Sequence, residues 1–185
     1  MPKLLALDIA THMGFASLDT KSSFATIHSG TIKAEGDTVL DKAASIALLV
    51  EKLVQEIHPD IVAIYDLQRC FKKVDDKQPQ EIARTVDILP TSLLFKPVMT
   101  GAVTAILANL SLPIIRLDSY KCRKFVLGYA RKSGWSKSDW QKALADKLRS
   151  DNIPIKSVLA APAIALVMTA SREQQVRLLD MEAAQ

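Results

Sequence analysis

The stretch Lys3-Leu4-Leu5-Ala6-Leu7-Asp8-Ile9, continued by Ala10-Thr11-His12-Met13-Gly14-Phe15-Ala16, decides how the rest of the chain is read. A short apolar run that ends on an acid has the length and character of a buried strand. Thr11-His12-Met13-Gly14 supplies a turn in which Gly14 is free to take positive φ. Phe15–Asp19 and Thr26–Lys33 read as two further strands, separated by the polar loop Thr20-Lys21-Ser22-Ser23. The first three strands therefore form an antiparallel meander.

Beyond the meander, strands alternate with helices. Asp37 or Thr38 caps a helix to about Ile57, with Leu40, Ala43, Ala47, Val50, Val54 and Ile57 at helical spacing. His58-Pro59-Asp60 stops it, and Ile61–Tyr65 is a second buried strand that runs into Asp66. Residues 67–92 are polar and irregular, and read as a loop with short helical pieces. Pro97 suits the first turn of a helix reaching about Asn109, and Gly101 within it marks close packing against a neighbour. Leu112–Leu117 is a third apolar strand, and Ser119 and Ser136 each cap a following helix. A last helix starts near Lys156, with a break near Ser171 before a charged tail. The order β-β-β-α-β-α-β-α-α predicts an α/β fold: a mixed five-stranded sheet, its first three strands antiparallel, with helices on both faces.

At 185 residues one domain is expected, over 1–170, with a C-terminal helical tail at 171–185. Hydrophobic residues make up 49% and charged residues 24%, which excludes global disorder. No apolar run reaches the roughly 18 residues that span a bilayer. Asp8 interrupts the N-terminal apolar run, so no signal peptide and no membrane association are expected. Cys70 and Cys122 form neither a metal spacing nor a disulfide framework, which points to a reduced, cytoplasmic setting.

The net charge of +4 is unevenly spread. From Tyr120 to Ser150 nine Lys and Arg meet only Asp139 and Asp146, giving +7 there and −3 elsewhere. Tyr129, Trp135 and Trp140 lie inside this segment. Concentrated positive charge with interleaved aromatics is the footprint of a phosphate-binding surface; a solvated helix face is the plain alternative. Arg131, Lys132 and Lys137 are candidate phosphate contacts. Trp135 and Trp140 are candidates either for stacking on unpaired bases or for burial against the sheet.

Four pieces of the chain resemble the RuvC-like Holliday junction resolvases of the RNase H-like superfamily, in the compact phage and bacterial type. Leu5–Thr11 with Gly14-Phe15-Ala16 resembles the first-strand motif, and Pro59–Ile64 the approach to the second acidic strand. Gly101 stands where the family has a glycine in its central helix. Leu112–Leu117, followed by Ser119, Arg123-Lys124 and Leu127-Gly128, resembles the strand and basic helix before the last motif. The resemblance implies a homodimeric, metal-dependent nuclease fold acting on branched DNA, with Lys121, Arg123 and Lys124 at phosphates. In such enzymes two Mg²⁺ (or Mn²⁺) ions about 4 Å apart, held by carboxylates, stabilise the entering and leaving oxygens.

Against that family the acids are depleted. Asp8 is present, and the resemblance implies for it the role of metal ligand and catalytic residue; an acid that bonds turn amides at a strand end is the plain alternative. The register places Tyr65 where the second acid belongs, and Asp66 is its neighbour on the opposite face, usable only across a bulge or a twisted strand end. In the last motif Leu159 and Pro162 stand where two aspartates belong, so Tyr65, Leu159 and Pro162 are degenerate catalytic positions. Three functions follow. One is a structure-selective DNA-binding protein with nuclease activity lost or weak, needing no cofactor. Another is a Mg-dependent junction endonuclease using Asp8 and Asp66. The third is a protein–protein adaptor on a nuclease-derived fold. Asp118 reads as a helix cap rather than a third ligand. His12, His28 and His58 share no ligating spacing, and Cys122 among bases is either an activated thiol or an inert one.

Overall fold

The computed structural model describes residues 2–66 and 91–183. Its strands are β1 (Lys3–Asp8), β2 (His12–Asp19), β3 (His28–Lys33), β4 (Ile61–Tyr65) and β5 (Ile114–Leu117). Its helices are α1 (Val39–Ile57), α2 (Thr91–Asn109), α3 (Ser119–Leu127), α4 (Lys137–Ser150) and α5 (Ala161–Ala183). Short 3₁₀ turns occupy Phe24–Thr26 and Val158–Ala160.

The five strands form one sheet in the order β3-β2-β1-β4-β5. β1 pairs antiparallel with β2 (Leu7 opposite Phe15) and parallel with β4 (Leu5 opposite Val62). β2–β3 is antiparallel and β4–β5 parallel. The central place of β1 accounts for its unbroken apolarity: Leu4, Leu5, Ala6 and Leu7 are all fully buried because both faces are covered. Alternation splits them between two cores. Leu5, Leu7, Val62 and Ile64 pack with α1 and α2, while Leu4, Ala6, Ala16 and Ala63 pack with α3, α4 and α5. The expected mixed sheet, with helices on both faces, is the observed one.

Local signals set most boundaries. Thr38 caps α1 through a reciprocal box with Asp41, and His58 ends it in the left-handed region (φ 51°). Ser136 and Asp139 form the same box at α4. Asp118, not Ser119, caps α3, its carboxylate accepting from the Tyr120 amide at 2.9 Å.

Several expectations are corrected. Gly14 is not a turn residue but lies inside β2, which starts at His12. A Cβ there would collide with the Leu159 carbonyl oxygen, so glycine serves the close approach of the Val158–Ala160 turn to the sheet. The third strand begins at His28 rather than Thr26, because Phe24–Thr26 is a 3₁₀ turn capped by Ser23. Pro97 lies in the interior of α2, which starts at Thr91. Gly101 meets no close neighbour, since a Cβ there would reach no atom within 4 Å. The last helix opens with the Val158–Ala160 turn and crosses Ser171 unbroken, because Ala160–Ser171 is packed all round and burial overrides the polar break signal. The irregular loop expected over 67–92 lies outside the described residues up to 90, and Thr91 already belongs to α2.

Candidate nucleic-acid interface and the acid beside it

β1, β4 and β5 are parallel, so their carboxyl ends meet at one edge of the sheet, the usual crevice for ligands in such sheets. Asp8 ends β1, Tyr65 ends β4, and β5 passes through Asp118 into α3. Asp8 is only 6% exposed. Burial raises its carboxyl above the ordinary carboxylate range, while the charges of Lys137, Lys96 and Arg123 act the other way without cancelling it.

Regular pairing through Tyr65 gives that residue, not Asp66, to the face of Asp8. Its hydroxyl donates to the Pro162 carbonyl oxygen at 2.6 Å. Burial first, then Cys122 and Asp8, push the phenol well above its ordinary value, so it stays a neutral donor. Two positions where acids were expected therefore bond to each other. At the third, Leu159 is fixed by its amide donating to the Ser157 hydroxyl at 3.2 Å and by its carbonyl against Gly14. Asp66 lines a different cavity, beside Arg116, Thr100 and Gly101.

This donor set does not fit a pair of divalent ions. Mg²⁺ wants several hard oxygens on rigid elements. Leu159 and Pro162 offer no side-chain oxygen, the Pro162 carbonyl is already taken by Tyr65, and the charges acting on Asp8 are cationic. Among the described residues no group of three or more His, Cys, Asp or Glu side chains is placed to hold a metal.

A basic groove lies next to Asp8, between α3 and the start of α4, with a volume of about 570 Å³. Arg123, Arg131, Lys132 and Lys137 line it together with Tyr120, Trp135 and Trp140, and among the described residues no acidic side chain does. The capping boxes explain part of this: Asp139 is turned back onto Ser136 and away from the role of counter-ion. Cations and rings interleave. The Arg123 guanidinium lies 4.5 Å from the Trp140 ring centre, Arg131 5.4 Å from Tyr120 and the Lys132 ammonium 4.2 Å from Trp135. Trp140 is buried at 7% exposure and meets Trp135 edge-on at 4.8 Å, which anchors the half-buried Trp135.

Of the seven residues expected at nucleic acid, the groove gathers five: Arg123, Arg131, Lys132, Trp135 and Lys137. Lys121 instead forms an ion pair with Glu173 of α5, and Lys124 is exposed on α3 and does not line the groove. Trp140 takes the buried alternative. Cys122 is buried and its thiol is pushed up to about 12 by desolvation, the reverse of activation. The three histidines are exposed on separate elements. Tyr120 and Lys96 were missed by sequence reasoning. Tyr120 had a readable signal, because three residues separate it from Arg123 on one helix face, where the two are 5.7 Å apart. Lys96 had none, since it nears Asp8 only through the tertiary fold.

No protein-family model matches the chain, and no curated protein does. Solved structures do. Thermus thermophilus RuvC superimposes with a TM-score of 0.60 at 16% identity, over 94% of this chain and 96% of that one. T. thermophilus RuvC in complex with a Holliday junction substrate gives 0.61 at 15% identity, over 95% and 96%. The yeast mitochondrial Holliday junction resolvase Ydc2 gives 0.51 at 11%, over 93% and 80%. The chain has a RuvC-like fold.

Proposed function

We propose that this RuvC-like chain binds branched or otherwise structured DNA through its phosphates, as a homodimer, without two-metal strand cleavage. The observation that carries this reading is the groove in which Arg123, Arg131, Lys132 and Lys137 gather, two of them acting on the Asp8 carboxyl. Four clustered cations suit a polyanion and carry no base-specific geometry, which favours selection by structure rather than by sequence. Likeness in fold to a RuvC bound to a Holliday junction supports the choice of branched DNA. The Tyr65–Pro162 hydrogen bond and the side chains of Leu159 and Pro162 support the loss of hydrolysis.

The test compares a four-way junction with linear duplex of equal length, by anisotropy, across a salt series in EDTA, with cleavage assayed separately in Mg²⁺ and Mn²⁺. The expected result is a junction preference that survives EDTA, falls steeply with salt, and comes with no strand scission. Arg123→Glu and Arg131→Glu should each weaken binding by roughly tenfold or more, as loss of a phosphate contact and its reversal would. Negligible affinity for both DNAs at low salt overturns the binding reading. Cleavage that Asp8→Asn abolishes overturns the loss of hydrolysis and favours an endonuclease.

A further inference from the structure

The groove is built for more than phosphates. A surface that gripped only the backbone of paired DNA would need cations and no rings. Here Tyr120, exposed at 36%, and Trp135 open onto the same groove as four cations. Trp135 is not a loose surface ring. Trp140 holds it from one side at 4.8 Å and Tyr129 lies edge-on at 6.2 Å, so little freedom is lost when something stacks on it. At about 570 Å³ the space falls within the roughly 300–1,000 Å³ of small-ligand sites. That volume suits one nucleotide and is too small to enclose a duplex.

We infer that this groove receives one unpaired nucleotide of the bound DNA, its base stacked on Trp135 or Tyr120 and its phosphates held by Arg123, Arg131, Lys132 and Lys137. The Lys132 ammonium over Trp135 and the guanidinium groups of Arg123 and Arg131 over Tyr120 mark the ring faces a base would share or take over. A flat π-face accepts any base, so the site selects for an unpaired nucleotide and not for its identity. No metal enters the contact, so the preference is independent of Mg²⁺. The inference rests on the DNA-binding reading above and adds the chemical class that the groove takes.

The experiment uses the full chain in EDTA with three probes: a perfectly paired four-way junction, the same junction carrying one unpaired thymidine at the branch, and thymidine monophosphate. The readouts are anisotropy and quenching of tryptophan fluorescence. One stacked base should make the unpaired-nucleotide junction about tenfold tighter than the paired one and quench the tryptophans. The ratio of the two affinities should fall towards one in Trp135→Leu and be largely retained in Trp135→Phe. Tyr120→Leu, on a different element, gives the same ratio test should Trp135→Leu unfold in a thermal melt. Equal affinity of wild type for the two junctions overturns the inference, as does a preference that survives both leucine variants. Thymidine monophosphate binding as tightly as the unpaired-nucleotide junction also overturns it, assigning the groove to free nucleotides. Failure of all DNA to bind fells the underlying reading instead, which separates the two.

Discussion

Asp8 is the residue on which the electrostatics turn. Its carboxyl is raised by burial, so between the unfolded and the folded titration the native state binds more protons than the unfolded chain. Stability therefore falls as pH rises through that window. Asp8→Asn removes the ionisable group and the slope with it. The expected result is a higher Tm near pH 7 and little gain near pH 4. Differential scanning fluorimetry at the two pH values checks it; a loss of stability at neutral pH would mean that the charged carboxylate is held by favourable contacts. At this scale the sequence was legible wherever period two applied. Alternation alone assigned Tyr65 to the face of Asp8 and Asp66 to the other. It could not show Tyr65 donating to Pro162, because the two residues stand 97 positions apart and meet only in the folded chain.

Among elements, α4 fixes the groove's far wall. Its first turn places Lys137, and its second places Trp140 beneath Trp135. The Ser136–Asp139 box sets where that turn begins, with the Ser136 hydroxyl accepting from the Asp139 amide and donating to the Asp139 carboxylate. Ser136→Ala should lower stability to urea by about 1 kcal/mol. The same hydrogen bonds hold the Asp139 carboxyl below its ordinary range. Its stabilising share is therefore present above the unfolded titration and lost as pH falls through the lowered one, so the Ser136→Ala deficit should shrink in acid. Full retention of the deficit at low pH would assign it to the serine alone. Caps were readable because they are local: Thr38 and Ser136 are acceptor side chains standing just before the helices they cap. Pro97 misled because its preference for a first turn is statistical; here the cost of an interior proline is offset by the burial of Met99, Val103 and Leu107 on the same helix. Ser171 misled because burial of the surrounding residues outweighs one polar side chain.

For the whole molecule, the uneven charge survives folding as a place. The +7 segment becomes α3, α4 and the groove between them, while its acids are drawn into the α4 cap and an Arg149–Asp146 pair. The fold was legible because the strand and helix order leaves few sheet topologies. No pattern could reveal that Lys96, from the opposite side of the sheet, comes near Asp8. Ala160–Ala170, almost wholly buried, forms the roof over Leu4, Ala6, Ala16 and Ala63. A chain ended at Ile155 should lack a cooperative melt and bind hydrophobic dyes; a sharp transition in such a truncation would show that the sheet stands without its roof. During translation β1 leaves the ribosome well before α5, and waits for more than 150 later residues before its second face is dry. Through that interval the nascent protein presents bare sheet to its surroundings.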